Sequence, residues 1–266
     1  MPVTATGDVR DHDAFDGGIR LGLAAYGLVH LLVAYTALRL ALGDQSTRAN
    51  SQGALAALAQ SGLGQVSLVV VAVGFVVLAV WQAIEAYKGH NDDEGLRRLV
   101  MRITSGAKVV VYLAVAASAV QKAFGESSGG RTDSVTAEVM SATGGRFLVA
   151  AVGLTIIGIG VYLGYHGISE EFAERLDVKA RRGDRRPLIV VLGKVGHVAK
   201  GIAFALVGAL FVMAAWQFQP KESGGLDQGL TTLLQQPMGP YLVGAVALGL
   251  ISYGLYCFAW ARHHTA

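Results

Sequence analysis

The chain has 266 residues, 53% of them hydrophobic and only 15% charged. A soluble domain carries about 25% charge, and a single core cannot hide this much apolar surface, so lipid is the solvent for much of the chain. One cysteine, Cys257, excludes a disulfide scaffold and a cysteine-built zinc site, and although the net charge is +3 and the pI about 9.0, the basic residues cluster between apolar runs, which argues for membrane orientation and against nucleic acid.

Residues 1–18 hold four aspartates, one arginine and no apolar stretch. They read as a polar tail, not a signal peptide. A membrane helix needs about 20 mostly apolar residues. Six segments qualify, at 19–42, 64–87, 103–124, 146–168, 189–216 and 240–261. The third is the weakest, because only 109–121 is free of charge between Lys108 and Lys122. Two linkers, 88–101 and 169–188, divide the spans into pairs over 19–87, 102–168 and 189–262. Fourteen of the 22 basic residues fall on the side that holds the termini and these linkers, including Arg20, Arg97, Arg102 and Arg262. Lys and Arg stay cytoplasmic, so both termini are predicted inside a bacterial cytoplasmic membrane. An even number of spans follows, which keeps the third.

The pairs repeat. Residues 20–42, 102–124 and 194–216 align, with Arg20, Arg102 and Lys194 coinciding, then Ala25, Ala107 and Ala199. The second helices align at Ala72-Val73-Gly74, Ala151-Val152-Gly153 and Ala247-Leu248-Gly249, followed by Ala79, Gly158 and Gly254. Between the helices of each pair lies a short segment, at 53–64, 134–145 and 229–239, ending in glycine. Apolar pairs Leu55/Leu58, Val135/Val139 and Leu230/Leu233 predict short amphipathic helices on the outer face, and the glycines allow the turn into the next span.

This pattern resembles the domain of unknown function 1206 family of bacterial membrane proteins. The resemblance rests on the Gly22–His30 and Gly196–Phe204 copies and on the Leu233–Gly239 turn. The middle copy departs, with Val109 where the others have Gly27 and Gly201. The resemblance implies two-span units, often three per chain, and carries no activity. The expected fold is therefore all-α: six transmembrane helices as three parallel two-helix repeats about a pseudo-threefold axis. Parallel repeats do not support the rocking motion of inverted-repeat carriers.

Ionisable groups inside a membrane are costly and serve as pointers to function. Lys108 and Lys200 occupy equivalent positions, with Tyr26 in the third; one turn on come His30, Tyr112 and Phe204. Spacing i,i+4 puts each pair on one face. Gln82 and Glu85 lie near the terminus-side end of the second span. Tyr26, His30, Gln82, Glu85, Lys108, Tyr112 and Lys200 form a candidate axial polar cluster in the inner leaflet, fit for an anion or a proton-linked solute. Against it stands ordinary ion pairing and snorkelling of lysine stems to the headgroups. The linker supplies a second candidate, a basic patch of Lys179, Arg181, Arg182, Arg185 and Arg186, each worth up to about 1 kcal/mol near anionic lipid. Its Glu171/Arg175 and Asp177/Arg181 spacings, and Phe172 with Leu176 on one face, predict a solvated helix.

Other motifs carry less. Gly160-Val-Tyr-Leu-Gly164 is a GxxxG that reads as helix packing. Gly125-Glu-Ser-Ser-Gly129 spells GxSxG without the strand and helix a nucleophile elbow needs. Histidines 30, 166 and 197 on separate helices are weak haem signals. No catalytic site, metal site or cofactor is predicted. The expected function is a non-enzymatic accessory or scaffold module that meets lipids, a membrane-protein partner or a second copy of itself. The alternative is a small ion or solute channel or carrier using the axial cluster.

Overall fold

A computed structural model describes residues 5–44, 49–60, 63–88, 95–124, 132–175, 186–219 and 225–263. Its elements are α1 (Ala5–Ala41), α2 (Ser51–Ala59), α3 (Gly64–Lys88), α4 (Gly95–Ala123), α5 (Thr132–Ser141), α6 (Gly145–Ile168), a 3-10 turn (Glu171–Arg175), α7 (Arg186–Gln217), α8 (Leu226–Leu234) and α9 (Gly239–Arg262). Six helices are long and apolar enough to span a bilayer: α1 from Asp16, α3, α4 from Met101, α6, α7 and α9. The chain is thus an all-helical, multi-pass membrane protein. The weak third span lies in one continuous helix, with Lys122 in its last turn and Lys108 two turns past Met101.

α2, α5 and α8 link the long helices of each pair in turn. The first apolar positions of α2 and α8 are more deeply held than amphipathy alone requires, whereas Val139 of α5 is half-buried. Leu55 and Leu230 are completely buried, packed with Leu40, Val243 and Ala119 at one end of the bundle. Asn50 caps α2 by accepting a hydrogen bond from the Gly53 amide at 2.9 Å. Each short helix folds back tightly on the next span. A Cβ at Gly64, Gly145 or Gly239 would collide with the carbonyl of Ala59, Val139 or Leu234, so only glycine fits these three repeated positions.

Neighbouring long helices follow the order α6–α7–α9–α1–α3–α4. The pattern is cyclic. The second helix of each repeat packs on the first helix of the next: α3 on α4, α6 on α7, α9 on α1. That order is what three hairpins set around an axis produce, with one break. Within the second repeat, α4 and α6 share no packing of comparable extent among the described residues. The ring is therefore an arc with a seam. The spans of α4 and α6, at its two ends, are only 17% buried, against 50% for α1 and α9.

Small residues set how closely the arms approach. A Cβ on Gly160 would lie 2.6 Å from the Gly201 carbonyl oxygen, and one on Gly153 would lie 2.8 Å from that of Gly208. α1 and α9 meet likewise, with a Gly27 Cβ 2.9 Å from the Gly254 carbonyl. Val109 replaces this glycine on α4. Gly164, the second half of the GxxxG, has open space where its Cβ would be. Ile19, Leu23, Leu78 and Ala261 pack together. The start of the α1 span and the ends of α3 and α9 therefore lie at one end of the bundle, and α2 and α8 lie at the other.

Candidate functional site

The described start of the linker after α6, up to Arg175, does not form the predicted solvated helix, and residues 176–185 lie outside the described residues. It makes a 3-10 turn whose Phe172 is 1% exposed. Phe172 stacks on His197 at 4.9 Å and meets Tyr256 edge-on at 5.2 Å, and the Tyr256 hydroxyl donates to the Phe172 carbonyl at 3.3 Å. Burial of one aromatic outweighs the i,i+4 charge pairs, because exposed pairs are worth only a few tenths of a kcal/mol. Glu171 faces His166 instead, 3.1 Å from Nδ1. Lys194 stands 2.8 Å from Glu170 and holds its carboxyl below the usual carboxylate range. Of the basic patch, Lys179, Arg181, Arg182 and Arg185 lie outside the described residues, as does Leu176. Arg186 is exposed at the start of α7.

Four of the seven candidate cluster residues come together on the axis. The Lys200 ammonium donates to the hydroxyls of Tyr26 and Tyr253, the latter at 3.1 Å. It also stands over both rings, 4.9 Å and 4.3 Å from their centroids. His30 meets the Tyr26 ring edge-on at 4.4 Å and lies 4.8 Å from that of Tyr253. Tyr112 closes the other side, 5.7 Å from both Tyr26 and Phe75. The remaining three lie towards the terminus-side end. Gln82 is seven residues past Phe75, about 10 Å along α3, and Glu85 is about 15 Å along it. Lys108 is one turn before Tyr112. Gln82 is buried, and its Oε1 accepts no hydrogen bond among the described residues.

Tyr26 is ten residues into its span and Tyr253 nine residues from the end of α9. Tyr26 is six residues past Arg20 and Lys200 six past Lys194, about 9 Å along each helix from these terminus-side charges. The Lys200 stem does not reach for the headgroups. An ammonium has three donors, and two are taken by neutral hydroxyls. No carboxylate lies within ion-pair distance of Lys200 among the described residues. His30 donates from Nδ1 to the Tyr26 carbonyl at 2.8 Å, which makes Nε2 the acceptor side of the ring.

Above this centre is a cavity of about 280 Å³, lined by Tyr26, His30 and Lys200 at its floor, by Val33, Val115 and Val207 further up, and by Asn50, Ser51 and Leu226 at the far end. Tyr253 and Phe75 were not among the sequence candidates. Phe75 gives no signal inside an apolar run. Tyr253 does give one: it precedes Gly254 where the aligned repeats have Leu78 and Ile157, so it breaks the repeat with a polar group.

The family described as Domain of Unknown Function (DUF1206) matches residues 21–89, 103–170 and 195–264. The chain is also 29% identical over 242 residues to "Uncharacterized protein YxxB" of Bacillus subtilis (strain 168), covering 89% of this chain and 86% of that one. No solved structure matches. With three matched units over most of its length, the chain belongs to the DUF1206 family.

Proposed function

We propose that this protein is a non-catalytic binding module of the bacterial cytoplasmic membrane. In this reading both termini face the cytoplasm, and the basic segment ending at Arg186 rests on anionic headgroups. The protein acts as an accessory to other membrane components or lipids by holding a guest in its axial cavity. The observation that carries this reading is that the cavity has a floor. Beneath the Lys200 centre, the fully buried Ile19, Leu23 and Leu78 pack between α1, α3 and α9. Such packing suits a blind pocket better than a conduit, which needs a wetted path or a gate that opens one.

Purified protein in liposomes tests this. Potassium, chloride and proton fluxes should equal those of protein-free vesicles. A flux that Lys200→Met abolishes would overturn the module reading in favour of the small channel or carrier.

A further inference from the structure

We infer that the axial cavity binds a single-chain amphiphile with an oxyanion headgroup, admitted sideways from the bilayer through the seam. The inference rests on the binding-module reading and names its guest. Three observations converge on it.

The first is chemical. A cation in hydrocarbon is retained where something pairs with it. Lys200 has two neutral hydroxyls and two ring faces as company, and among the described residues its third donor is unclaimed. The cavity meets this ammonium at its floor. A carboxylate or phosphate oxygen placed there would accept from Lys200 in a low-dielectric setting, where charge-assisted hydrogen bonds are strongest.

The second is the shape of the wall. From Tyr26 to Val33 the cavity rises seven residues, about 10 Å, between apolar side chains. At the far end Asn50 is already committed to capping α2. Among the described residues the unspent donor, on the Lys200 ammonium, sits at the floor. One polar end and one apolar shaft fit a headgroup with a chain. A small hydrated anion would leave most of the wall without a partner.

The third is access. Val111 and Val115 of α4 line one side of the cavity, and Phe204 and Val207 of α7 line the other. These two helices do not pack on each other as ring neighbours do, because the arc ends at α4. Val111, on the cavity wall, is still 56% exposed. The wall is thus parted on the side where the second repeat leaves its own two helices separated, and that side faces acyl chains.

The test uses the full chain in zwitterionic nanodiscs, with dodecanoate, 1-dodecanol and acetate as probes, read by equilibrium dialysis at neutral pH. Dodecanoate should bind saturably, one per chain, and dodecanol should bind on the order of tenfold to a hundredfold more weakly, the span of one charged hydrogen bond. Excess acetate should leave dodecanoate bound. Lys200→Met should bring dodecanoate down to the level of dodecanol. Val115→Trp, which fills the shaft and keeps the ammonium, should weaken both, while Val110→Trp on the lipid side should weaken neither. Equal binding of acid and alcohol to the wild type would overturn the inference, as would an acid preference that survives Lys200→Met. Displacement by acetate would overturn the amphiphile in favour of a free anion. Fluxes measured on the same purified protein in liposomes separate the two readings: Lys200-dependent flux defeats the module itself, whereas silence in both assays defeats only the guest.

Discussion

The Lys200 ammonium donates to the Tyr253 hydroxyl at 3.1 Å while standing 4.3 Å from the centroid of the same ring. The pair joins α7 to α9 within the third repeat, and Tyr26 joins both to the first. None of these partners carries a formal charge. In the ligand-free protein the centre therefore costs stability. Lys200→Met keeps the apolar stem and removes the charge, so it should stabilise the protein by about 1–2 kcal/mol, a part of the roughly 2.5–3.5 kcal/mol that a lysine costs at the centre of a membrane helix, since the two hydroxyls and rings offset the rest. Thermal unfolding in detergent reads the change. A fall of similar size would mean that the ammonium is a structural tie between the two tyrosines.

Gly160→Leu should destabilise by about 1–3 kcal/mol, because the new side chain must displace the backbone of α7 at Gly201. Gly164→Ala, four residues on in the same motif, meets open space and should change stability by no more than about 0.5 kcal/mol. Unfolding midpoints of the two variants, measured side by side, check the packing of α6 on α7. Equal effects would contradict it.

Phe172→Ala should cost about 3–5 kcal/mol, as expected for a fully buried aromatic. It removes the side chain that stacks on His197 and lies against Gly193. The loss should be accompanied by faster proteolysis of the linker after α6, because Phe172 is what pins that linker to α7 and α9. Linker cleavage unchanged from wild type would show that the turn is held by other contacts.

Glu170 gives a signed pH effect. Lys194 lowers its carboxyl below the ordinary value of 4.5. Its contribution to stability is therefore fully present above that value and fades as pH falls through the lower, folded one. Glu170→Gln should remove this acid-range loss and leave neutral-pH behaviour close to wild type. Urea midpoints measured as a function of pH for the two proteins decide it.

The span count and the triplication are written in the sequence, because hydrophobic length and repeated glycines are local properties. The pairing order is not. Nothing in residues 102–168 announces that α4 and α6 would part, since helix pairing depends on which faces meet across repeats, as Gly160 meets Gly201, and not on the segment's own composition. The axial centre was legible where repeats could be compared position by position, which singled out Tyr26, His30, Tyr112 and Lys200. It was illegible where a side chain arrives from the other arm of a hairpin. Tyr253 comes from α9, and only its departure from Leu78 and Ile157 marks it. The start of the linker misled for a different reason: the Glu171/Arg175 spacing is helical, but one aromatic, Phe172, finding a pocket beside His197 outweighs a solvent-exposed pair.

The seam also sets an order of assembly. As segments leave the ribosome from the N-terminus, α4 finds its neighbour α3 already in the lipid. α6 does not, since its partner α7 has yet to be synthesised, and α1 waits for α9, the last of all. One helix, α6, thus idles, and α1 has only α3 beside it, until the final hairpin is made, and the third repeat is the clasp that draws the rest of the molecule together.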